Sequence, residues 1–208
     1  MVKNYFLLVA SLLFFLQIST AQSKSFDLRE MDALIVRLES GQNKTQVLQQ
    51  KLEAAKTEEM KAYWEQELKN SQLELQIKNQ TIRTAFEQEF KFVEVLYIYD
   101  YTAKDLKRGK TQGIFLNENL QVDPTLELEG KAFLLAAEGR STSAAEGIYL
   151  HHSDMTRLKD RYLNFIKLNT IGLIFSNIFS TGDAPQQMYS KAVQKLNRRF
   201  YKSQRIVE

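Results

Sequence analysis

Two adjacent histidines are the side chains with the clearest chemical potential in this sequence. His151 and His152 are followed by Asp154, and imidazole and carboxylate groups are common zinc ligands. Their context, GIYLHH, predicts a strand, and neighbouring strand residues point to opposite faces of a sheet. Since the 208 residues include only two histidines and no cysteine, no third imidazole and no thiolate can complete a site. The sequence therefore predicts no metal site.

Serines and carboxylates in the second half of the chain offer candidates for hydrolysis without a recognised motif. Ser141 and Ser143 lie in GRSTSAAEG, which lacks the Gly-x-Ser-x-Gly spacing of a nucleophile elbow. Two carboxylates can act as acid and base where the fold brings them together. The candidates for such a pair are Glu94, Asp100, Asp123, Glu138 and Glu146.

The glycines do not follow a phosphate-binding pattern, so no cofactor is predicted either. These observations name no catalytic residue and favour a non-enzymatic protein. An envelope hydrolase that uses paired carboxylates is the main alternative.

The C-terminal stretch combines positive charge with an apolar stripe. Pro185 is a favourable start for a helix, and apolar residues recur at helical spacing from Tyr189 to Phe200. Six cations form a possible binding surface: Lys191, Lys195, Arg198, Arg199, Lys202 and Arg205. Such a helix either docks on a sheet with its basic face in solvent, or lies on an anionic membrane or an acidic partner. Docking is the favoured interpretation.

An uncharged apolar segment, TIGLIFSNIF, precedes this helix at residues 170–179. It is too short to span a bilayer, and it predicts a buried helix. The competing hypothesis is an exposed apolar patch. With that patch, residues 170–205 would hold the protein on a membrane surface.

The first 21 residues have the three-part pattern of a secretory signal peptide. Lys3 precedes an apolar run from Tyr5 to Leu16, and small residues lead to a cleavage site between Ala21 and Gln22. An uncleaved anchor would need a longer run, which Gln17 interrupts. The sequence therefore predicts an exported protein of the periplasm, the cell envelope or the extracellular space.

Residues 22–90 are predicted to form a helical arm, because residues 23–90 contain no proline and are rich in Gln, Glu, Lys and Leu. A first helix is expected across Leu28–Leu38, and a second helical stretch at 44–90 has a phase shift at Lys56 and Thr57. A thin apolar seam follows this stretch: Leu48, Leu52, Trp64, Leu68, Leu75 and Ile82. The seam predicts a helical hairpin or coiled-coil arm that pairs with another helix, in a protein partner or in a second copy.

Residues 91–208 are predicted to form a small α+β domain that ends in the basic amphipathic helix. Short apolar runs predict strands at residues 92–99, 113–117, 132–138, 147–152 and 161–168, with a short helix at 102–108. The loop between the third and fourth of these strands is typical of a hairpin. The expected fold is therefore α+β, with a mostly antiparallel sheet following the helical arm.

Several segments resemble a group of uncharacterised exported proteins of Bacteroidota-type bacteria. These are the signal ending STAQ, the Lys/Glu/Gln-rich helix, and the segments FVEVLYIYD, GIFLNENLQVDP and FLLAAEG. The resemblance implies a compartment and an organisation, and no activity. Charge adds little, because 28 basic residues balance 25 acidic ones and give no reason to expect nucleic acid as a partner. The favoured function is an exported interaction or structural protein of the cell envelope.

Overall fold

A computed structural model of the protein describes residues 27–128, 132–140, 145–160, 162–169 and 184–205. The predicted signal peptide and the apolar segment at residues 170–179 lie outside these ranges. The elements of the described chain are β1 (Met31–Leu38), α1 (Gln42–Glu53), α2 (Glu58–Glu89), β2 (Glu94–Tyr99), α3 (Ala103–Lys107), β3 (Ala132–Arg140), β4 (Glu146–His151), β5 (Phe165–Lys167) and α4 (Ala184–Arg205). The class is α+β, as the sequence predicts.

The sheet is mixed, which corrects the expectation of a mostly antiparallel one. Its strand order is β2-β1-β3-β4-β5. β1 runs parallel to both of its neighbours, with Val36 opposite Tyr97 on β2 and opposite Ala136 on β3. The remaining pairs, β3 with β4 and β4 with β5, are antiparallel.

The incorrect sheet type follows from β1, because the sequence predicts a helix across Leu28–Leu38 where the structure has this strand. Residues Ala33, Leu34, Ile35 and Val36 are all buried, because a central strand is covered on both faces. A short continuous apolar run fits a buried strand and a helix equally well by spacing alone. The predicted helical arm, residues 22–90, thus contributes the central strand of the sheet.

The connection from β1 to β2 is a crossover, as parallel neighbours require. It consists of α1 and α2, which pack against each other as a helical hairpin. The turn falls at the predicted phase shift, where the Thr57 hydroxyl accepts a hydrogen bond from the Met60 backbone N–H at 3.2 Å. The prediction that residues 44–90 are mostly helical is confirmed.

Two apolar clusters cover the two faces of the sheet. On one face, α2 and α4 pack over Leu34, Leu134 and Leu150. On the other, α3 and the segment 114–128 cover Ile35 and Ile98. Successive residues of a strand contribute to opposite clusters, because side chains alternate between the two faces of a sheet.

Two of the predicted strands are shorter in the structure. Residues 113–117 make isolated bridges, such as Ile98 with Phe115, in place of a continuous strand. The strand expected at 161–168 is reduced to Phe165–Lys167. None of the helices in the described ranges is long and apolar enough to cross a membrane.

Candidate functional site

The C-terminal helix α4 is docked on the sheet by its apolar stripe. Tyr189, Val193, Leu196 and Phe200 are buried, and the Phe200 ring contacts the Phe90 ring at a centroid distance of 5.3 Å. An amphipathic helix needs that same stripe in order to lie in a bilayer interface. The stripe is therefore already occupied within the chain.

The six predicted cations of this helix do not form one surface. Lys191, Lys195, Arg198 and Lys202 are exposed, on a single face at helical spacing. Arg199 is half-buried, and its Nη1 donates hydrogen bonds to the backbone carbonyls of Tyr162 and Phe165. Arg199 thus links α4 to the segment that leads into β5. The side chain of Arg205 lies outside the described part of the structure.

The predicted pairing seam is buried or half-buried within the chain itself. Leu48 and Ile82 are buried, and the other four residues (Leu52, Trp64, Leu68 and Leu75) are half-buried. The Lys51 ammonium lies 4.5 Å from the centre of the Trp64 ring, which joins the two helices near their turn. The single chain thus supplies a helix-on-helix contact along this seam, and Ile82 belongs to the core of the sheet.

A groove opens where the parallel strands β1 and β2 end. Ligands of sheets with parallel strands commonly bind outside the carboxyl ends of those strands. Here α2 continues past the sheet edge, and a cleft of about 710 Å³ separates its middle from the strand ends. We call this cleft the carboxyl-edge groove. Its lining residues are Glu39, Ser40, Thr45, Gln72, Leu73, Leu75, Gln76, Ile77, Asn79, Gln80, Tyr99, Glu118, Asn119 and Leu120.

The wall opposite α2 is held by hydrogen bonds. The Tyr99 hydroxyl donates to the Leu120 carbonyl at 2.9 Å, and Arg83 on α2 donates to the Asn117 carbonyl. The Asn117 side chain accepts from the backbone N–H groups of Asn119 and Gln121. Leu120 has a φ of 58°, which is uncommon for a residue other than glycine. The loop is therefore fixed in a defined conformation against the groove.

Asn79 supplies an unusual group on the α2 side of the groove. Its side chain is 2% exposed, and its Nδ2 donates to the Glu39 carbonyl at 2.7 Å. The opposite amide oxygen, Oδ1, is buried without a hydrogen-bond partner. A buried acceptor without a partner is rare and costs free energy.

Lys78 lies beside Asn79 and bridges two carboxylates. Its Nζ is 2.8 Å from Glu39 and 3.0 Å from Glu138, and Glu138 also accepts a hydrogen bond from the Tyr189 hydroxyl at 3.1 Å. Burial works to lower the pKa of Lys78, but the hydrogen bond to Glu39 and the charge of Glu138 outweigh it and raise that pKa. Burial and the charge of Glu138 raise the pKa of Tyr189.

This cluster brings two carboxylates together with a cation between them. The lysine neutralises the pair, so Glu39 and Glu138 are not arranged to share a proton as an acid–base pair does. Glu138 was among the predicted acid–base candidates, whereas Glu39 was missed. If β1 is assigned as a strand, Glu39 becomes a candidate, because it directly follows the carboxyl end of β1, beside β3.

Among the other carboxylate candidates, Glu146 lies near this cluster, since its charge also raises the pKa of Tyr189. Asp100 accepts from the backbone N–H groups of Ser40 and Tyr101, and Glu146 pairs with Arg140 at 2.6 Å. Hydrogen bonds from Thr125 lower the pKa of Asp123 in its loop. Glu94 lies at the start of β2, at the edge opposite the groove. These four side chains therefore build no second carboxylate pair among the described residues.

The histidines do not converge on a metal site. The Nδ1 atom of His151 is buried without a hydrogen-bond partner, and burial lowers the pKa of this side chain. Within the described ranges, no group of three histidine or carboxylate side chains could hold a metal ion.

No protein-family model matches the sequence, and neither a curated protein nor a solved structure is significantly similar to it.

Proposed function

We propose that this protein is an exported, non-enzymatic interaction protein of the cell envelope that binds a partner through its helical hairpin. The observation that carries the proposal is the distribution of exposed apolar side chains. Five of the nine exposed large apolar side chains of the described chain lie on α1 and α2, namely Val47, Met60, Tyr63, Leu73 and Ile77. Such a concentration is typical of an interaction surface.

The length of α2 supports this function. Its 32 residues span about 48 Å at 1.5 Å per residue. The six residues of β2 span about 20 Å, so α2 extends well beyond the sheet. α1 covers part of that extension, and the turn between the two helices is the distal end. We call the exposed residues Val47, Met60 and Tyr63 the distal arm surface.

A second copy of the chain or another envelope protein fits this surface equally well by chemistry. Both supply apolar side chains to cover Met60 and Tyr63, whose exposed fractions are 46% and 56%. The seam on the inner side of the hairpin is occupied within the chain, so the partner is expected on the outer side. Export follows from the signal-peptide pattern of the sequence.

The alternative of a carboxylate hydrolase receives less support from the same geometry. Glycosidase-type catalysis needs one carboxyl protonated and one ionised beside the scissile bond. The two carboxylates that meet here, Glu39 and Glu138, both bind Lys78. The Lys78 ammonium lies between the two carboxylates, in the place where a catalytic pair would need the scissile bond.

Capture from the envelope of the native host tests the proposal. Immobilised mature protein is compared with the double variant Met60→Gln/Tyr63→Gln, in which two exposed apolar side chains are replaced by a good helix former. Val122→Gln is the matched control, because Val122 is 43% exposed and belongs to the segment 114–128, outside the two helices of the hairpin.

The expected result is a set of proteins, quantified by mass spectrometry, that wild type and Val122→Gln retain and the double variant loses. A light-scattering mass in solution shows whether a second copy is the partner. Retention of the same proteins by all three, with no change in solution mass, would contradict the proposal.

A further inference from the structure

We propose that the outer face of α4 binds the surface of an anionic lipid bilayer by electrostatic attraction, while the helix stays docked on the sheet. Four exposed cations define this face, which we call the basic face: Lys191, Lys195, Arg198 and Lys202. The partner of the proposed function binds the helical hairpin, whereas this face belongs to another helix. The inference therefore goes beyond the proposed function.

The basic face is a straight stripe opposite the apolar stripe that docks α4. Its cations follow one another at steps of four, three and four residues, which at 3.6 residues per turn keeps them within an arc of about 60°. From Lys191 to Lys202 the stripe is about 16 Å long at 1.5 Å per residue. Val193 and Leu196, which are buried, lie on the other side of the helix. A flat surface can therefore meet all four cations at once.

The charges of the basic face are not neutralised within the described part of the chain. α4 contains no acidic residue, and no described residue forms an ion pair or a hydrogen bond with any of these four side chains. The cations of α2 differ, since Lys61 pairs with Glu58 and Arg83 pairs with Glu87. Like charges three or four residues apart on a helix repel each other. An anionic surface would offset that repulsion.

The basic face suits an extended anionic surface better than a single anion. A site for one phosphate needs donors that the surrounding structure holds in a fixed direction. No hydrogen bond to a described residue orients these four side chains. Lysine and arginine side chains near an anionic bilayer each contribute to binding and need no pocket. Phospholipid headgroups supply such a surface to an exported protein of the cell envelope.

An acidic protein fits this face less well than a bilayer does. Protein interfaces are anchored by a few aromatic or apolar side chains that become fully buried. The exposed residues beside the cations are glutamines, Gln187 and Gln194. Tyr201 is the one exposed large apolar side chain among the described side chains of α4, and its hydroxyl is already bound to the Lys91 carbonyl. The basic face thus offers charge without an apolar anchor.

Co-sedimentation with lipid vesicles tests the proposal on the mature protein. Vesicles that contain phosphatidylglycerol should retain the protein at low salt, and vesicles of phosphatidylcholine alone should not. Binding should be lost at about 1 M salt, where the screening length is about 3 Å.

Two variants with the same change in net charge locate the binding site. The first removes the basic face, with glutamine as a good helix former at each position: Lys191→Gln, Lys195→Gln, Arg198→Gln and Lys202→Gln. It should weaken vesicle binding by roughly a hundredfold or more. The control removes four exposed lysines elsewhere and should keep most of the binding: Lys56→Gln, Lys69→Gln, Lys104→Gln and Lys110→Gln.

A fluorescent label reports which side of the protein lies on the bilayer without removing any cation of the basic face. The chain contains no cysteine, so Gln194→Cys gives a single attachment point beside the basic face. Lys104→Cys is the matched position on α3, which covers the other face of the sheet. Lipids with a spin-labelled headgroup should quench the label at position 194 and leave the label at position 104 bright.

Four outcomes would overturn the proposal: no binding to anionic vesicles, binding that salt does not weaken, equal losses in the two charge variants, or equal quenching at the two labels. Retention on immobilised polyglutamate without vesicle binding would assign the basic face to an acidic protein instead. The Met60→Gln/Tyr63→Gln variant should still bind the vesicles. Failure of the hairpin proposal and failure of the bilayer proposal are therefore distinguishable.

Discussion

Two buried tyrosines and a half-buried lysine shape the response of this protein to alkaline pH. Burial raises the pKa of both Tyr97 and Tyr189 above the ordinary value of 10.0, because the ionised phenol is poorly solvated in the core. The charge of Glu138 acts in the same direction on Tyr189. Lys78 also has a raised pKa and keeps its charge between Glu39 and Glu138.

These shifts predict a loss of stability at high pH. A group with a raised folded-state pKa stabilises the fold fully below its unfolded pKa, and this stabilisation is lost as pH rises above that value. We therefore expect the melting temperature to fall from about pH 10 upward. Melting curves of wild type and Tyr97→Phe from pH 8 to 12 should show a shallower fall in the variant. Identical slopes would mean that Tyr97 ionises as readily in the folded state as in the unfolded one.

Gly41 is a position where the backbone conformation favours glycine and a neighbouring side chain lies close. Its φ is +68°, and an added Cβ would lie 2.5 Å from Cδ2 of Leu75. Gly41→Ala should destabilise the protein by about 1–3 kcal/mol in urea unfolding. Gly109→Ala is the matched control, because Gly109 has a φ of +88° and no atom within 4 Å of the added Cβ. An equal cost at both positions would show that Leu75 does not restrict Gly41.

The strands β3 and β4 lie side by side in the sheet, between the central strand β1 and the edge strand β5. Leu134 and Leu150 are both fully buried on the face that α2 and α4 cover. Leu134→Ala and Leu150→Ala should each lower the free energy of unfolding by about 2–5 kcal/mol. Val122→Ala, at an exposed position, should change it by less than about 0.5 kcal/mol. Costs as small as the control at both leucines would contradict this core.

The amphipathic helices and the strands between turn-forming residues could be predicted from the sequence, whereas the central strand β1 could not. The helices α1, α2 and α4 were predicted by apolar residues at helical spacing, and β2, β3 and β4 by short apolar runs. Among the large apolar residues of the predicted strands, Tyr97, Phe115, Leu134 and Leu150 are buried, whereas Val95 and Phe165 are half-buried.

The missed elements share one physical cause. β1 is buried on both faces, and its two polar residues, Asp32 and Arg37, only flank a continuous apolar run at 33–36 that shows no period. Without β1, the parallel pairing and the joining of Glu39 with Glu138 could not be predicted. The carboxyl-edge groove depends on the same strand, since its position is set by where β1 and β2 end.

In the whole molecule, the amino edge and the carboxyl edge of the parallel strands carry different features. The amino edge carries both ends of the described chain, through Met31 and the contact of Tyr201 with Lys91. The carboxyl edge carries the groove and the helical hairpin. The groove and the hairpin thus lie at the edge opposite to Met31, where the described chain begins.

Export predicts a defined N-terminus for the mature protein. Small residues at Ser19, Thr20 and Ala21 favour cleavage before Gln22. Mass spectrometry of protein purified from the host envelope should show Gln22, or its pyroglutamate form, at the N-terminus. Mature material that retains Met1 would contradict export by a cleaved signal peptide.

The function that we propose requires a protein partner in the cell envelope to cover the distal arm surface. The most direct measurement is photo-crosslinking in the native host, with benzoylphenylalanine introduced at Tyr63 and, as the control, at the exposed Val122. We expect a light-dependent adduct of defined mass from position 63 and none of that mass from position 122. Absence of an adduct at position 63, or the same adducts at both positions, would contradict the assignment of partner binding to the helical hairpin.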